Sequence, residues 1–228
     1  MFYSEKLFRK VILLKNINTV TAGDYNLESF NTDEELYKNI RKRLKKDLDR
    51  KRYVHTKGVA DVSLCLAMSY GANMKQAYLA GLLHDNAKCI PTDEKRNLCK
   101  KYQIILNSAE EKNPELIHAK LGAYRLKDVF HIDDEDIFSA IACHTTGKPE
   151  MSVLDKILYI ADYIEPNRRP LPMLDEVRKL AFRNLDQTIL LILESTLSYL
   201  KDKNAEIDIK TQETYHYYKE LLSKQEEV

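Results

Sequence analysis

Residues 73–91 read NMKQAYLAGLLHDNAKCIP. Asn73 is a good helix N-cap, and the apolar residues that follow meet no breaker until Pro91, which a helix interior does not accept. The stretch predicts a helix running through Met74–Asp85. Its end is the unusual part. His84 and Asp85 stand side by side where Leu82 and Leu83 have just been facing a core, and a buried imidazole beside a buried carboxylate is costly unless something pairs with both.

The same helical signals recur on either side. Upstream, a helix carries His55 in its first turns, with Val59, Val62, Leu66 and Met68 on its inner face, and stops at Gly71. Before it, Thr32-x-x-Glu35 resembles a capping box that opens a helix into KNIRKRLKKDLDRKR, where Ile40, Leu44 and Leu48 recur at a helical interval. That basic run reads as the solvated face of a helix rather than a binding patch. Downstream, helices are expected near 93–105, 114–129 (Asn113 as cap, Pro114 in the first turn), 133–143 and 153–164 (Ser152 as cap), with further helical pattern over 173–202 and 211–224. Only six glycines and six prolines interrupt the 228 residues, and no segment insists on being a sheet. The expectation is an all-α chain. Residues 31–228 are expected to form a single globular domain, and residues 1–30 an extension of unknown role whose KVILLKNINTVTAG reads as short strand or frayed helix.

Composition removes several function classes. Thirty-six basic and 35 acidic residues leave a formal charge of +1, so no global field favours nucleic acid or a membrane surface. The run Val11-Ile12-Leu13-Leu14 is too short for a signal segment or a membrane span, and a cytoplasmic location is expected. Cys65, Cys89, Cys99 and Cys143 show no CxxC spacing and read as reduced thiols, which removes zinc-ribbon chemistry.

Four of the six histidines fall on or beside the best-formed helices. His55 lies in YVHTKGVADV, His84 in GLLHDNAK, His118 in PELIHAKLGAY and His144 in IACHTTGKP. His131 and His216 lack such a setting. Asp162, in KILYIADYIEP, is a carboxylate on an apolar helix with no structural reason to be there. Buried carboxylates and imidazoles tolerate one another best when they share a cation. Four nitrogen donors and two carboxylates, with no sulfur, suit a divalent Fe, Mn, Co, Ni or Zn. Six ligands are too many for one catalytic ion that must keep open positions, and are about right for two ions bridged by Asp85.

The order H…HD…H…H…D resembles the HD-domain metal-dependent phosphohydrolases. Within that superfamily HTKGVA, AGLLHDNAK, IHAKLGAY, HTTGKPEMSVLDKILYIADYIEPNR and the later LDEVRKLA resemble the YqeK-type symmetrical diadenosine-polyphosphate hydrolases, over roughly residues 45–215. The resemblance implies a helical HD-domain fold and a dinuclear, iron-containing centre. His55, His84, Asp85 and Asp162 would hold one ion, and Asp85, His118 and His144 the other. The implied reaction is hydrolysis of diadenosine tetraphosphate to two ADP by a metal-bound hydroxide. Three residues depart from the family wording: Asn86 replaces a larger apolar or aromatic residue, Lys57 an apolar one, and Asn167 the glycine of EPGR. Asn167 is expected to take that glycine's positive-φ turn.

Around these ligands, Asp85 and Lys88 are the candidate catalytic residues. The resemblance implies that Lys88 and Arg168 are phosphate contacts; Arg52 and Arg169 are further cationic candidates. Thr145, Thr146 and Gly147 could offer hydroxyl or backbone donors. Cys143 lacks an activating partner and is not read as a nucleophile; Tyr163 is at most a base-stacking residue. The expected partner is a small dinucleoside polyphosphate, with a homodimer possible and neither membrane nor nucleic acid expected. The competing readings are an HD phosphohydrolase for another nucleotide (a dNTP, a guanosine alarmone or a cyclic nucleotide) and a non-catalytic nucleotide-binding HD module.

Overall fold

The structure, a computed structural model, describes residues 34–171 and 173–226. Among these residues all regular structure is helical: α1 Glu34–Asp47, α2 Arg50–Tyr70, α3 Met74–Leu83, α4 Thr92–Lys101, α5 Ser108–Lys112, a 3₁₀ turn Pro114–Leu116, α6 Ile117–Phe130, α7 Glu135–Cys143, α8 Val153–Ile164, α9 Leu174–Ala181, α10 Leu185–Asp202 and α11 Ile209–Glu226. Packing groups the described residues from Lys38 onward into one unit. The Thr32 capping box and the reading of residues 10–23 lie outside the described residues.

The centre of that unit is α8, which packs against α2, α3, α7 and α10. Its Ile157, Leu158, Ile160 and Ala161 are fully buried. Ser152 starts it with the expected cap, now a full capping box closed by Asp155. Helices α2 and α3 run close together because Gly81 has no side chain: a Cβ there would lie 2.7 Å from Ala60 Cα. Gly71 ends α2 at φ 66, and Asn73 caps α3 by accepting from Lys75 N and Gln76 N.

Three boundaries differ from the sequence pattern. The expected helix over 173–202 is two helices, because Asn184 turns its side chain onto Gln187 N and restarts the chain as α10. The expected helix at 93–105 ends at Lys101, and Gln103 takes a positive φ of 55°. The helix at 114–129 opens as a 3₁₀ turn behind the Asn113 cap. The short helix α5, absent from the periodicity, rests on a capping box between Asn107 and Glu110.

Candidate metal centre

Ends of helices carry most of the converging side chains. His84 is the C-cap of α3 and Asp85 follows it, while His144 is the C-cap of α7. His118 is the second residue of α6, Asp162 lies in the last turns of α8, and His55 sits within the second turn of α2. His84 is fully buried, and Asp85, His118 and His144 are no more than 3% exposed.

The hydrogen bonds of the four imidazoles fix what each offers the centre. Nδ1 of His84 lies 2.8 Å from Gly81 O, that of His144 2.7 Å from Ile141 O, and that of His118 2.5 Å from Glu115 O. A carbonyl only accepts, so each of these Nδ1 atoms carries the proton. Nδ1 of His55 faces Glu165 Oε1 at 3.1 Å and is likewise protonated. In the neutral ring every Nε2 then presents a lone pair.

These lone pairs point at carboxylates and at each other. His55 Nε2 lies 3.0 Å from Asp162 Oδ1 and 3.7 Å from Asp85 Oδ2; His84 Nε2 lies 3.2 Å from Asp85 Oδ2 and 3.8 Å from Asp162 Oδ1. His118 Nε2 lies 3.1 Å from Asp85 Oδ1 and 3.2 Å from His144 Nε2. The two oxygens of Asp85 are thus divided, Oδ2 towards His55 and His84, Oδ1 towards His118. The groups His55–His84–Asp85 and Asp85–His118–His144 each bring ligand atoms within 4.8 Å of one another. His55 Nε2, His84 Nε2 and Asp162 Oδ1 are buried without a hydrogen-bond partner. Acceptors packed against acceptors are repulsive unless a cation lies among them, and separations near 3 Å are those of neighbouring ligands on an ion held at about 2.1 Å. The donor set fits divalent metal.

The electrostatics agree. Burial raises Asp85, but His84 and His118 outweigh it and hold the carboxyl well below its ordinary value. Asp162 is likewise held far down against burial by His55 and His84. Burial, then His84 and His118, push His144 down to about 3, so it is a neutral ligand at any working pH. His55 is pulled down by burial but pushed up to about 9 by Asp162 and Glu165. A proton and a metal ion compete there for one lone pair.

The cationic candidates flank this centre. Arg52 Nη1 donates to Asp85 Oδ2 at 2.7 Å, and Arg168 Nη1 lies 3.6 Å from Asp162 Oδ1. Lys88 is on the other side, with Nζ 3.4 Å from His118 Nδ1 and from Glu115 Oε2. The first of these is a contact between two donors, since His118 Nδ1–H is spent on Glu115 O. Arg169 is exposed at the rim of a groove of about 720 Å³ that Arg50, Lys51, Arg52 and Arg168 also line. Thr145 is half-buried beside His144. Thr146 and Gly147 are taken up by packing. Thr146 Oγ1 donates to its neighbour's carbonyl, and Gly147, at φ 68, has Thr214 of α11 where a Cβ would point. Cys143 Sγ is buried against Ala140 O, and Tyr163 Oη pairs with Ser195 on α10.

Each departure from the family wording has a structural role. Asn86 is buried; its Nδ2 donates to Leu83 O and Gly122 O, and its Oδ1 accepts from Arg125 Nε. It ties the end of α3 to α6. Lys57 is exposed, with its ammonium 5.2 Å from the Tyr53 ring centroid. Asn167 does not take the positive φ expected for a glycine substitute. It donates from N and Nδ2 to Glu165 Oε2 at 2.7 and 3.1 Å instead. Glu165 itself, 1% exposed, is the residue that sequence reasoning missed. Gly58 leaves room for it, since a Cβ there would lie 2.5 Å from Glu165 Oε2.

Comparison with known proteins follows the same residues. The HD domain family matches residues 52–167. The chain is 40% identical over 174 residues to the symmetrical bis(5'-nucleosyl)-tetraphosphatase of Bacillus subtilis, covering 76% of this chain and 92% of that protein. It is 34% identical over 180 residues to the enzyme of that name in Staphylococcus aureus, covering 78% and 92%. A crystal structure described as an HD superfamily hydrolase involved in NAD metabolism, from Clostridium acetobutylicum, superposes with a TM-score of 0.77 at 38% identity, over 80% of this chain and 96% of that one. With His55, His84, Asp85, His118, His144 and Asp162 converging inside the matched region, this chain belongs to the HD-domain family, in the group of the symmetrical bis(5'-nucleosyl)-tetraphosphatases.

Proposed function

We propose that this chain hydrolyses diadenosine tetraphosphate symmetrically to two ADP, with residues 31–228 as the catalytic unit. The observation that carries the reading is the set of four Nε2 lone pairs and two carboxylates aimed at one another in the core of a fold shared with enzymes of that name. His55, His84, Asp85 and Asp162 would hold one divalent ion, and Asp85, His118 and His144 the other, with iron the metal the family resemblance favours. Such a pair supplies Lewis acidity towards phosphoryl oxygens and lowers the pKa of water.

The chain's own residues do the rest. Asp85 offers one oxygen to each ligand group, which keeps the two in register. Arg52 and Arg168 stand at the His55–Asp162 side, at the mouth of the basic groove, and Lys88 stands at the His118 side. Positive charge on both flanks favours a polyphosphate laid across the centre, with an inner phosphorus at the ligands and a diphosphate leaving group neutralised on either side. A site gripping only one adenosine and its first phosphate would cleave asymmetrically. A nucleotide substrate also accords with a cytoplasmic enzyme; among the described residues no helix is long and apolar enough to cross a membrane.

The test is product analysis with metal-loaded protein in ¹⁸O-labelled water. Two ADP, with label in one of them, is the expected outcome. ATP plus AMP overturns the symmetrical assignment. No turnover of this substrate beside rapid turnover of a dNTP or a guanosine alarmone transfers the same site to another nucleotide.

A further inference from the structure

Beside His118 lies a charge cluster that the proposed reaction uses only in part. Lys95, in the first turn of α4, has a side chain only 1% exposed, and its Nζ lies 3.5 Å from Glu115 Oε1. Lys88, whose side chain is 22% exposed, reaches the other oxygen of the same carboxylate at 3.4 Å. Glu115 belongs to the 3₁₀ turn before α6 and is 60% exposed. Two ammonium groups, one of them deeply buried, thus share a single carboxylate that is mostly in water.

The arrangement is unbalanced in three ways. A buried ammonium needs close, well-directed partners, and charge-assisted bonds normally close to about 2.7–2.9 Å, whereas both contacts here are longer. Two positive charges against one negative leave the cluster short of an anion. The side chain of Glu115 is also independent of its own backbone's work: Glu115 O accepts from His118 Nδ1 and orients a candidate ligand, while the carboxylate merely spans the lysines. The carboxylate can leave without disturbing His118. A phosphate group, with three oxygens and a larger charge, matches two converging lysines better than a carboxylate does.

On the basis of the phosphohydrolase reading, we propose that Lys88 and Lys95 form an anion subsite for an outer phosphate of the substrate, and that the Glu115 carboxylate is its resident stand-in, displaced outward when phosphate enters. The subsite lies on the side of the centre away from Arg52 and Arg168, which already serve the other half of the phosphate chain. A chain long enough to reach both sets of cations is held; a shorter one leaves the Lys88–Lys95 pair to Glu115.

The test uses full-length, metal-loaded protein with metal content matched between variants. Calorimetry measures the Kd of inorganic phosphate, and steady-state kinetics the KM for diadenosine tetraphosphate. Glu115→Gln is expected to tighten phosphate binding about tenfold and Lys95→Met to weaken it by about as much. The gain from Glu115→Gln should vanish in the Lys95→Met background, because the competitor then has no site to vacate. Unchanged or weaker phosphate binding by Glu115→Gln overturns the proposal, as does a gain that persists without Lys95. Glu115 is exposed, so that arm decides even if Lys95→Met does not fold. The expected phosphate response without hydrolysis of diadenosine tetraphosphate sinks the substrate reading and keeps the subsite for another phosphorylated compound. Hydrolysis with neither variant altering phosphate affinity does the reverse.

Discussion

His55 Nδ1 and Glu165 Oε1 meet at 3.1 Å across 110 residues of chain. Glu165 is itself fixed, by donors from Asn167 and by the space that Gly58 leaves. The contact sets the tautomer and rotation of the imidazole and makes its Nε2 a stronger donor to a cation. Glu165→Gln keeps the shape and removes the charge. Metal affinity of the His55 group is expected to fall by roughly 10–100-fold, read by competition with a chromophoric chelator. An unchanged affinity would show that His55 is oriented by something else.

Asp85 and His118 should separate in a metal analysis. Asp85 gives an oxygen to each group of ligands, His118 a nitrogen to one. Protein purified without chelators is expected to carry two transition-metal ions per chain. Asp85→Ala should lose both together and His118→Ala chiefly one. Metal that stays at full stoichiometry in Asp85→Ala refutes the bridging role.

The thiol of Cys143, next to His144, is expected to be silent. Burial, reinforced by the Asp155 carboxylate, pushes it up to about 12, so at pH 7–9 it stays protonated and a poor nucleophile. Cys89 is exposed. Alkylation of folded protein at pH 8 should therefore label Cys89 well before Cys143, with Cys143 reacting only on unfolding. Peptide mapping that finds Cys143 modified first contradicts the burial argument.

Asn86 should matter to stability rather than to substrate recognition. Asn86→Leu removes the acceptor for the buried Arg125 Nε, the bond to Gly122 O on α6 and the local bond to Leu83 O. The expected loss is about 1–3 kcal/mol in urea denaturation. A neutral or stabilising result would mean that Arg125 finds another acceptor.

What the sequence made legible follows from how local each signal is. His84 and Asp85 announced themselves because an apolar helix ended on two ionisable residues, and Asp162 because it interrupts KILYIADYI. Helices with strong caps, such as α3 and α8, were readable to within a residue or two. Glu165 was not: at a helix end before Pro166 it looks like any solvated glutamate, and its partner is on a helix far away in the chain. Lys95 was hidden for the same reason, inside the charged TDEKRNLCKK, where nothing local says that one lysine turns inward. The break between α9 and α10 depends on Asn184 preferring its own backbone to a continuous helix, a choice that periodicity does not register.

Three of the four imidazoles take their orientation from a carbonyl three residues back in their own turn, and His55 takes its orientation from Glu165 on a separate segment. The two halves of the centre therefore differ in how they fail. Warming that loosens one turn leaves His118 and His144 still aimed, because each moves with the carbonyl that holds it. His55 loses its aim as soon as α2 and the 165–167 turn drift apart. With an ion in each half, thermal inactivation would be expected to proceed in order, the one beside His55 escaping first and the one beside His118 and His144 staying until the local helices melt.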